Sequence, residues 1–317
     1  MSQPRGNSAS GTRDGRRWMP KSISYAFGEP IVELVEIDDA PGTFLSDLTL
    51  ANAASSRRLP LMDVAIDEAS ASVSPAGFIY HLPRSGSTLV ARMLTGLESC
   101  ACIVEPEAIN ALLSRPEARV AFKPEWLRRL IQLYGVALDG RFHHVFVKLS
   151  SWAILHAPVF ADAFPGTPGC FIHRDPVDVL VQLLERPTGW MSKSARSFIL
   201  GHTPAETMSL EEYCARALER FCEAAIHAGP RVRAVAYEDV PAIVPALAQD
   251  HFGLDVLEAA TTALTDIAQY DSEDWSVQRR YVEPIETLRA RVTPLALHMT
   301  ERFAQNARRR LLASGPR

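Results

Sequence analysis

The chain has 317 residues, 47% of them hydrophobic, which is enough to bury the core of one large domain or two small ones. Its 33 basic and 37 acidic residues give a formal net charge of −4, so no overall positive field favours long nucleic acids or anionic membranes. Five cysteines without a C-x-x-C pair disfavour a disulfide framework and a structural zinc site. We therefore expect a cytoplasmic protein with buried thiols and no metal, nucleic-acid or membrane partner.

The amino-terminal segment is rich in arginine, glycine and serine, and we expect residues 1–22 to be a disordered tail. Two β-favouring runs between Ile23 and Ile37 flank Gly28-Glu29-Pro30, which predicts a hairpin before the main fold. No internal repeat or Gly/Ser linker follows. We therefore predict a single domain over 23–317.

The main fold is predicted to begin at the apolar run Ala76–Leu82, which is typical of a buried strand and is followed by a short loop and a helical pattern. Further strands are predicted at 142–148, 169–173 and 231–237, and helices at 108–113, 116–138, 151–164, 177–185, 210–228 and 241–251. Strands that alternate with helices imply a parallel sheet between helical layers. We predict an α/β, P-loop-like three-layer fold with a central parallel sheet, helices on both faces and a mostly helical carboxyl-terminal third.

The loop Pro83–Thr88 joins this first strand to its helix, a place where free backbone N–H groups and the helix dipole bind anions. Gly86 lets the backbone approach an oxyanion, Ser87 and Thr88 add hydroxyl donors, and Arg84 adds a planar guanidinium. Ser87 follows Gly86 where a nucleotide triphosphatase loop has lysine, which disfavours ATP with magnesium. The alternative is that Pro, Gly and Ser only turn the chain.

A second candidate anchor lies in GCFIHRDPVDVLVQLL, where Arg174 stands at the end of a predicted strand. Asp175-Pro176 opens the next helix, so the guanidinium can make a bidentate contact with a phosphate. The alternative is that Arg174 and Asp175 form a helix-capping ion pair.

Two segments together resemble one enzyme family. GFIYHLPRSGSTLVARML is similar to the 5′-phosphosulfate loop of sulfotransferases that use 3′-phosphoadenosine 5′-phosphosulfate (PAPS), in the P-R-S-G-[ST]-T-L form of bacterial and tyrosylprotein members, and the Arg174 segment resembles their 3′-phosphate segment. The resemblance implies that Arg84, Ser85, Gly86, Ser87 and Thr88 wrap the 5′-phosphate and sulfate. It implies that Arg174 binds the 3′-phosphate, with Gln182 where the family usually has serine. RVRAVAYEDV resembles a later family strand, in which Tyr237 would be architectural.

The same resemblance implies the catalytic residues. Glu105 in IVEPEAIN stands at a position similar to the glutamate base of tyrosylprotein sulfotransferases, although it could instead cap the following helix. Lys148 in VKLSS matches a family lysine, with Ser150 where cytosolic members have a histidine base. Arg279 and Arg280 lie where members often carry a basic loop over the 3′-phosphate, although exposed arginine pairs are common.

The resemblance therefore implies sulfuryl transfer from PAPS, as co-substrate, to a hydroxyl or amine of a small-molecule or peptide acceptor, without a metal. Two alternatives remain open. One is a P-loop kinase or nucleotidase, which would share the fold and the anion loop. The other is a non-catalytic sulfotransferase-like binding module, which Gln182 and Ser150 make plausible.

Overall fold

The structure is a computed structural model that describes residues 17–37, 42–46, 55–66, 74–114, 122–138, 141–201, 207–256, 258–270 and 283–314. Its contacts divide the chain into two compact units built from non-contiguous segments. The first unit comprises Met1–Ala76, Ser99–Val147 and Val159–Pro165, and the second comprises Gly77–Glu98, Lys148–Pro158 and Gly166–Arg317. The single domain expected over 23–317 stays a prediction.

The described strands form two sheets. In chain order they are β1 (Arg17–Ala26), β2 (Glu29–Ile37), β3 (Phe44–Ser46), β4 (Ser56–Pro60), β5 (Gly77–His81), β6 (Cys100–Val104), β7 (His144–Lys148), β8 (Gly169–His173) and β9 (Val232–Ala236). One sheet has the order β1-β2-β4 and is antiparallel, and the other has the order β3-β6-β7-β5-β8-β9. In the second sheet, β3 pairs with β6, β5 with β8 and β8 with β9, each in parallel. The predicted α/β class with a central parallel sheet flanked by helices is confirmed.

The described helices are α1 (Ser87–Thr95), α2 (Glu107–Leu113), α3 (Pro124–Ala137), α4 (Ala157–Ala163), α5 (Pro176–Glu185), α6 (Lys193–Leu200), α7 (Leu210–His227), α8 (Val244–Ala246), α9 (Glu258–Ile267), α10 (Ile285–Arg289), α11 (Pro294–Met299) and α12 (Gln305–Ser314). Short 3₁₀ turns lie at Leu61–Asp63, Ser151–His156, Gly189–Met191, Gly229–Arg231 and Tyr237–Asp239, and π-helical turns at Leu247–His251 and Thr300–Ala304. After β9 the described chain is entirely helical or irregular, as predicted for the carboxyl-terminal third.

The hairpin predicted before the main fold is confirmed, since β1 and β2 pair up to the contact of Ala26 with Glu29. Phe27 and Gly28 form the turn, and both have positive φ, at 51° and 86°, as in the type I′ turns that suit twisted hairpins. Residues 17–22, predicted to belong to a disordered tail, are instead part of β1, which begins at Arg17, and residues 1–16 lie outside the described residues. Met19 lies within this stretch, is 0% exposed and pairs with β2, so its burial holds the segment in the sheet.

The core of the second unit is built on β5 and β8, in which all five residues of each strand are buried. Strands that are covered on both faces are uniformly apolar, which is why these runs stood out in the sequence. His81, the last residue of β5, pairs with Ile172, and His173, the last residue of β8, pairs with Ala236. The segments that follow β5, β8 and β9 therefore leave the sheet at one carboxyl edge.

The five cysteines are free thiols and all are buried, as their lack of pairing in the sequence indicated. Burial raises the pKa of Cys100 to about 11 and, as the largest of several causes, the pKa of Cys214 and Cys222 to about 12. These thiols are therefore protonated at neutral pH and weak nucleophiles. Within the described residues, no helix has the length and apolar character that crossing a bilayer requires.

Candidate functional site

The loop between β5 and α1 is fastened to the sheet by Ser85. This side chain is 1% exposed, and its Oγ lies 2.6 Å from the carbonyl oxygen of Leu82 and 3.0 Å from that of Ile172. The backbone N–H of Leu82 also donates to Ile172 O at 2.8 Å. The Ser85 hydroxyl thus holds the loop in place, and any contact of Ser85 with an anion falls to its backbone N–H.

The turn into α1 has the backbone geometry of an anion site. Arg84 and Gly86 have positive φ, at 56° and 81°, and Gly86 is the N-cap of α1 with no side-chain cap. The first N–H groups of α1 are therefore left uncapped by any side chain, and the helix dipole adds partial positive charge there. Thr88 is half-buried, whereas Ser87 is 4% exposed, so the Thr88 hydroxyl is the more accessible donor.

Tyr237, directly after β9, connects this loop to Arg174. A Cβ atom on Gly86 would lie 3.0 and 3.1 Å from two ring carbons of Tyr237. The guanidinium carbon of Arg174 lies 4.4 Å from the centroid of the same ring. The structure therefore brings Gly86 and Arg174, two of the predicted anion-binding residues, against one aromatic side chain.

One edge of the Arg174 guanidinium is held by an acidic side chain. The side chain of Arg174 is 11% exposed, and its Nε lies 3.6 Å from Oδ2 of Asp178, which is 3% exposed. Nε is buried without a hydrogen bond, and the two Nη atoms make no hydrogen bond or ion pair with any described residue. The Nη edge of the guanidinium can therefore donate hydrogen bonds to an oxyanion.

Asp175 starts α5 as a helix cap. Its Oδ1 accepts hydrogen bonds from the backbone N–H of Val177 and from Nε2 of Gln305, both at 2.9 Å. The helix-capping alternative was therefore right for Asp175, whereas the ion pair of Arg174 is made with Asp178, one turn later. The cap orients the first turn of α5 and with it the arginine that precedes it.

Two arginines that sequence analysis did not identify hold the same turn from the carboxyl-terminal helices. Nε of Arg289 donates to Oδ1 of Asp178 at 3.2 Å, and its Nη2 lies 3.5 Å from Oδ2 of Asp175. Nη1 of Arg308 lies 3.7 Å from Oδ2 of Asp175, and its Nη2 donates to Glu238 at 2.9 Å. No motif marks these arginines, because their partners lie more than 60 residues away in sequence.

His173 lies beside this network as a neutral buried imidazole. It is 1% exposed, and its Nδ1 is buried without a partner. Desolvation, with a smaller contribution from the positive charge of Arg308, lowers the pKa of His173 to about 4. The ring therefore carries no charge at neutral pH.

Lys148 ends β7 as a buried cation. It is 1% exposed, and its Nζ lies 3.4 Å from Nε2 of His81, the last residue of β5. Nε2 of His81 also lies 2.9 Å from the carbonyl oxygen of Leu149. Because its side chain is buried, Lys148 can act at the carboxyl edge through its charge more readily than through direct contact with a ligand.

Two other predicted site residues are not directed toward Arg174. Nη2 of Arg84 lies 3.5 Å from the carbonyl oxygen of Arg186, beyond the far end of α5. Nε2 of Gln182 donates to the carbonyl oxygen of Asp178 in its own helix at 3.4 Å. Both contacts are near the outer limit of a hydrogen bond, so each contact by itself is weak. The predicted roles of Arg84 and Gln182 stay predictions.

Glu105 belongs to the first unit, directly after β6. Its φ is 46°, a conformation that is costly for a residue with a side chain and is common at functional sites. The N-cap of α2 is Pro106, so Glu105 does not cap the helix, and the neighbouring Glu107 is exposed on the first turn. Arg279 and Arg280 lie outside the described residues.

An aromatic cluster follows Lys148 in the second unit and was not predicted. The ring of Trp152 meets those of Phe198 and His156 edge to face, at 5.1 and 5.9 Å, and His156 stacks on Phe198 at 5.8 Å. Burial lowers the pKa of His156 to about 4, so the cluster is uncharged at neutral pH. The three rings are partly exposed and offer an apolar surface.

No protein-family model matches the chain, and no curated protein matches it either. Among solved structures, a sulfotransferase domain from the Synechococcus PCC 7002 olefin synthase is 15% identical, with 73% of this chain and 94% of that chain covered and a TM-score of 0.45. Sulfotransferase STF9 from Mycobacterium avium is 12% identical, with 75% and 79% covered and a TM-score of 0.43. A sulfotransferase from Alicyclobacillus acidocaldarius is 17% identical, with 74% and 99% covered and a TM-score of 0.35. Superpositions this loose carry no functional information, and the chemistry rests on the site's own residues.

Proposed function

We propose that this chain is a sulfotransferase that moves a sulfuryl group from PAPS to a hydroxyl or amine of a small-molecule or peptide acceptor. The observation that carries the proposal is that Gly86 and Arg174 both pack against Tyr237. An amide-lined turn and a guanidinium from a distant segment thus lie within reach of one ligand. A nucleotide with anionic groups on its 5′ and 3′ sides needs such a pair of anchors.

The residues of the second unit fit such a donor chemically. The uncapped amino terminus of α1 and the half-buried Thr88 hydroxyl suit the oxygens of the 5′-phosphosulfate. The planar Nη edge of Arg174, fixed on one side by Asp178, suits a bidentate contact with the 3′-phosphate. Since both anchors contact the ring of Tyr237, this side chain helps to fix their positions relative to each other.

The donor supplies an activated sulfuryl group, and the protein supplies position and charge. We assign to Arg84 the stabilisation of charge on the departing phosphate oxygen, because it lies in the loop before α1 and carries a planar guanidinium. Lys148 adds positive charge from beneath the carboxyl edge. Glu105 takes the proton of the acceptor. We also assign an apolar part of the acceptor to the segment 186–210, in which Phe198 belongs to the aromatic cluster.

Sulfuryl transfer from PAPS to a panel of hydroxyl and amine acceptors tests the proposal. Arg84→Ala and Glu105→Gln should each lower turnover roughly 100-fold or more, because one removes charge stabilisation and the other removes the base. The exposed residues Arg231 and Glu107 provide the controls, and Arg231→Ala and Glu107→Gln should keep activity near wild type.

Three outcomes of this assay would contradict parts of the proposal. Near-normal turnover in Glu105→Gln would remove Glu105 as the base. Binding of adenosine 3′,5′-bisphosphate without transfer to any acceptor would favour the non-catalytic binding module. Hydrolysis of ATP with magnesium, in place of sulfuryl transfer, would favour the kinase or nucleotidase.

A further inference from the structure

A cavity lies in the second unit, at the amino end of β9. It has a volume of about 530 Å³ and is lined by the end of α7, Gly229 and Pro230 of the following turn, the first residues of β9, His251 and the end of α12. Its apolar wall includes Ala225, Ile226, Pro230 and Leu311. The segment that carries Tyr237 leaves the opposite, carboxyl end of the same strand, so this cavity is separate from the proposed donor site.

Among the described residues that line this cavity, Arg233 is the one with a permanently cationic side chain. It is half-buried in β9, opposite Cys170 of β8, and makes no hydrogen bond or ion pair with any described residue. A partly buried charge without a counter-ion is costly unless a ligand or water compensates it. The cavity therefore combines an apolar wall with a positive group that no described residue pairs with.

His251 adds a polar but uncharged group to the wall. Its Nε2 lies 2.7 Å from the carbonyl oxygen of Gly169, to which it donates as a neutral ring. Burial, opposed by this hydrogen bond and reinforced by the charge of Arg233, lowers the pKa of His251. The imidazole is therefore neutral at pH 7, and Arg233 sets the charge preference of the cavity.

We propose that this cavity is a second binding site, for a small amphipathic carboxylate such as a medium-chain or aryl-alkyl acid. The apolar body packs on Ile226, Pro230 and Leu311, and the carboxylate pairs with the guanidinium fork of Arg233. One unpaired guanidinium balances one negative charge, so a monoanion fits better than a phosphate dianion or a nucleotide. A volume of about 530 Å³ lies within the range of small-molecule pockets.

Calorimetric titration of the full chain with octanoate tests the site, with octanol and octylamine as neutral and cationic probes of the same length. We expect saturable octanoate binding, weaker octanol binding and no octylamine binding. Arg233→Ala should weaken octanoate binding roughly tenfold or more, the size expected for losing a charge-assisted pair. Arg231→Ala is the matched control, since this exposed arginine of the adjoining turn does not line the cavity, and it should bind as wild type.

A second variant, Ala234→Phe, should block octanoate by filling the cavity, and circular dichroism checks its folding. Equal octanoate affinity in wild type and Arg233→Ala would overturn the proposal, as would absence of saturable binding to wild type. Competition between octanoate and adenosine 3′,5′-bisphosphate would also overturn it, because the two sites lie at opposite ends of β9. The proposal does not depend on the proposed sulfuryl transfer. Arg233→Ala should leave the binding of adenosine 3′,5′-bisphosphate unchanged, so the two sites are tested independently.

Discussion

Tyr237 makes the two contacts on which the proposed donor site depends. The sequence identified Gly86 and Arg174 separately, each from its place between a strand and a helix. It marked Tyr237 only as architectural, because the contacts of its ring with both residues are set by tertiary structure. Residue types with strong local preferences were therefore predictable, and the aromatic side chain that relates them was not.

At Gly86, a side chain would meet both backbone strain and the ring of Tyr237. An alanine in the left-handed region costs roughly 1–2 kcal/mol, and Gly86→Ala should lower the free energy of unfolding by more than this, because its Cβ also displaces the ring of Tyr237. For the same reason the variant should lose nucleotide binding. Urea unfolding and nucleotide titration measure the two effects.

Gly166 supplies the matched control, since its φ is +92° and nothing lies within 4 Å of its would-be Cβ. Gly166→Ala should show the strain alone and bind nucleotide as wild type. Equal losses of stability and equal binding in the two variants would show that the contact of Gly86 with Tyr237 has no consequence.

Among the elements, those with long or uniformly apolar patterns were predicted best. The strand at Gly169–His173 was predicted with its observed bounds, and the helix at 210–228 ends one residue earlier. In contrast, β6 was missed because CACIV is a short apolar run, which periodicity alone does not distinguish from a buried helix segment. The three-residue β3 and the half-exposed β4 gave no pattern either.

The first turn of α5 was predicted from Asp175-Pro176, but the network that holds it was not. Asp175→Ala should lower the free energy of unfolding by about 1–2 kcal/mol, since it removes the helix cap and the contacts with Gln305, Arg289 and Arg308. Urea unfolding provides the measurement.

Asp175→Asn keeps a capping oxygen and removes only the charge, so it should lose less stability than the alanine variant. Asp162→Ala, an exposed position on α4, should stay within about 0.5 kcal/mol of wild type. If Asp175→Ala were as stable as Asp162→Ala, neither the cap nor the ion pairs would stabilise α5.

Across the whole molecule, the alternation of strands and helices predicted the fold class, while the strand order β3-β6-β7-β5-β8-β9 could not be predicted. Strand order depends on which strands pair, and that is decided by contacts between distant segments. The rule that parallel strands end at one edge was sufficient to place the segments after β5, β8 and β9 together. It could not show that the Arg84 side chain extends toward Arg186.

The stability of the whole chain should fall as the medium becomes acidic, in part through His173. Its pKa is about 4 in the folded chain and about 6.5 when unfolded, so the unfolded chain takes up the proton first as pH falls. The contribution of His173 to the free energy of unfolding is complete above about pH 6.5 and is lost as the pH falls from there to pH 4. At pH 5 the loss amounts to about 2 kcal/mol.

Urea unfolding at pH 7.5 and pH 5 measures this loss. His173→Phe keeps an aromatic ring against Phe171 but cannot titrate, so the pH dependence should be smaller by about that amount. His156, whose pKa is also lowered to about 4, should contribute in the same direction in both proteins. An unchanged pH dependence in His173→Phe would contradict the assignment.

Calorimetric titration with adenosine 3′,5′-bisphosphate tests most directly whether Gly86 and Arg174 form one nucleotide site. We predict a single saturable site in the wild-type chain, at least tenfold weaker binding in Arg174→Ala, and wild-type binding in Arg186→Ala, an exposed arginine at the end of α5. Absence of binding to the wild-type chain, or equal affinity in Arg174→Ala, would contradict the account.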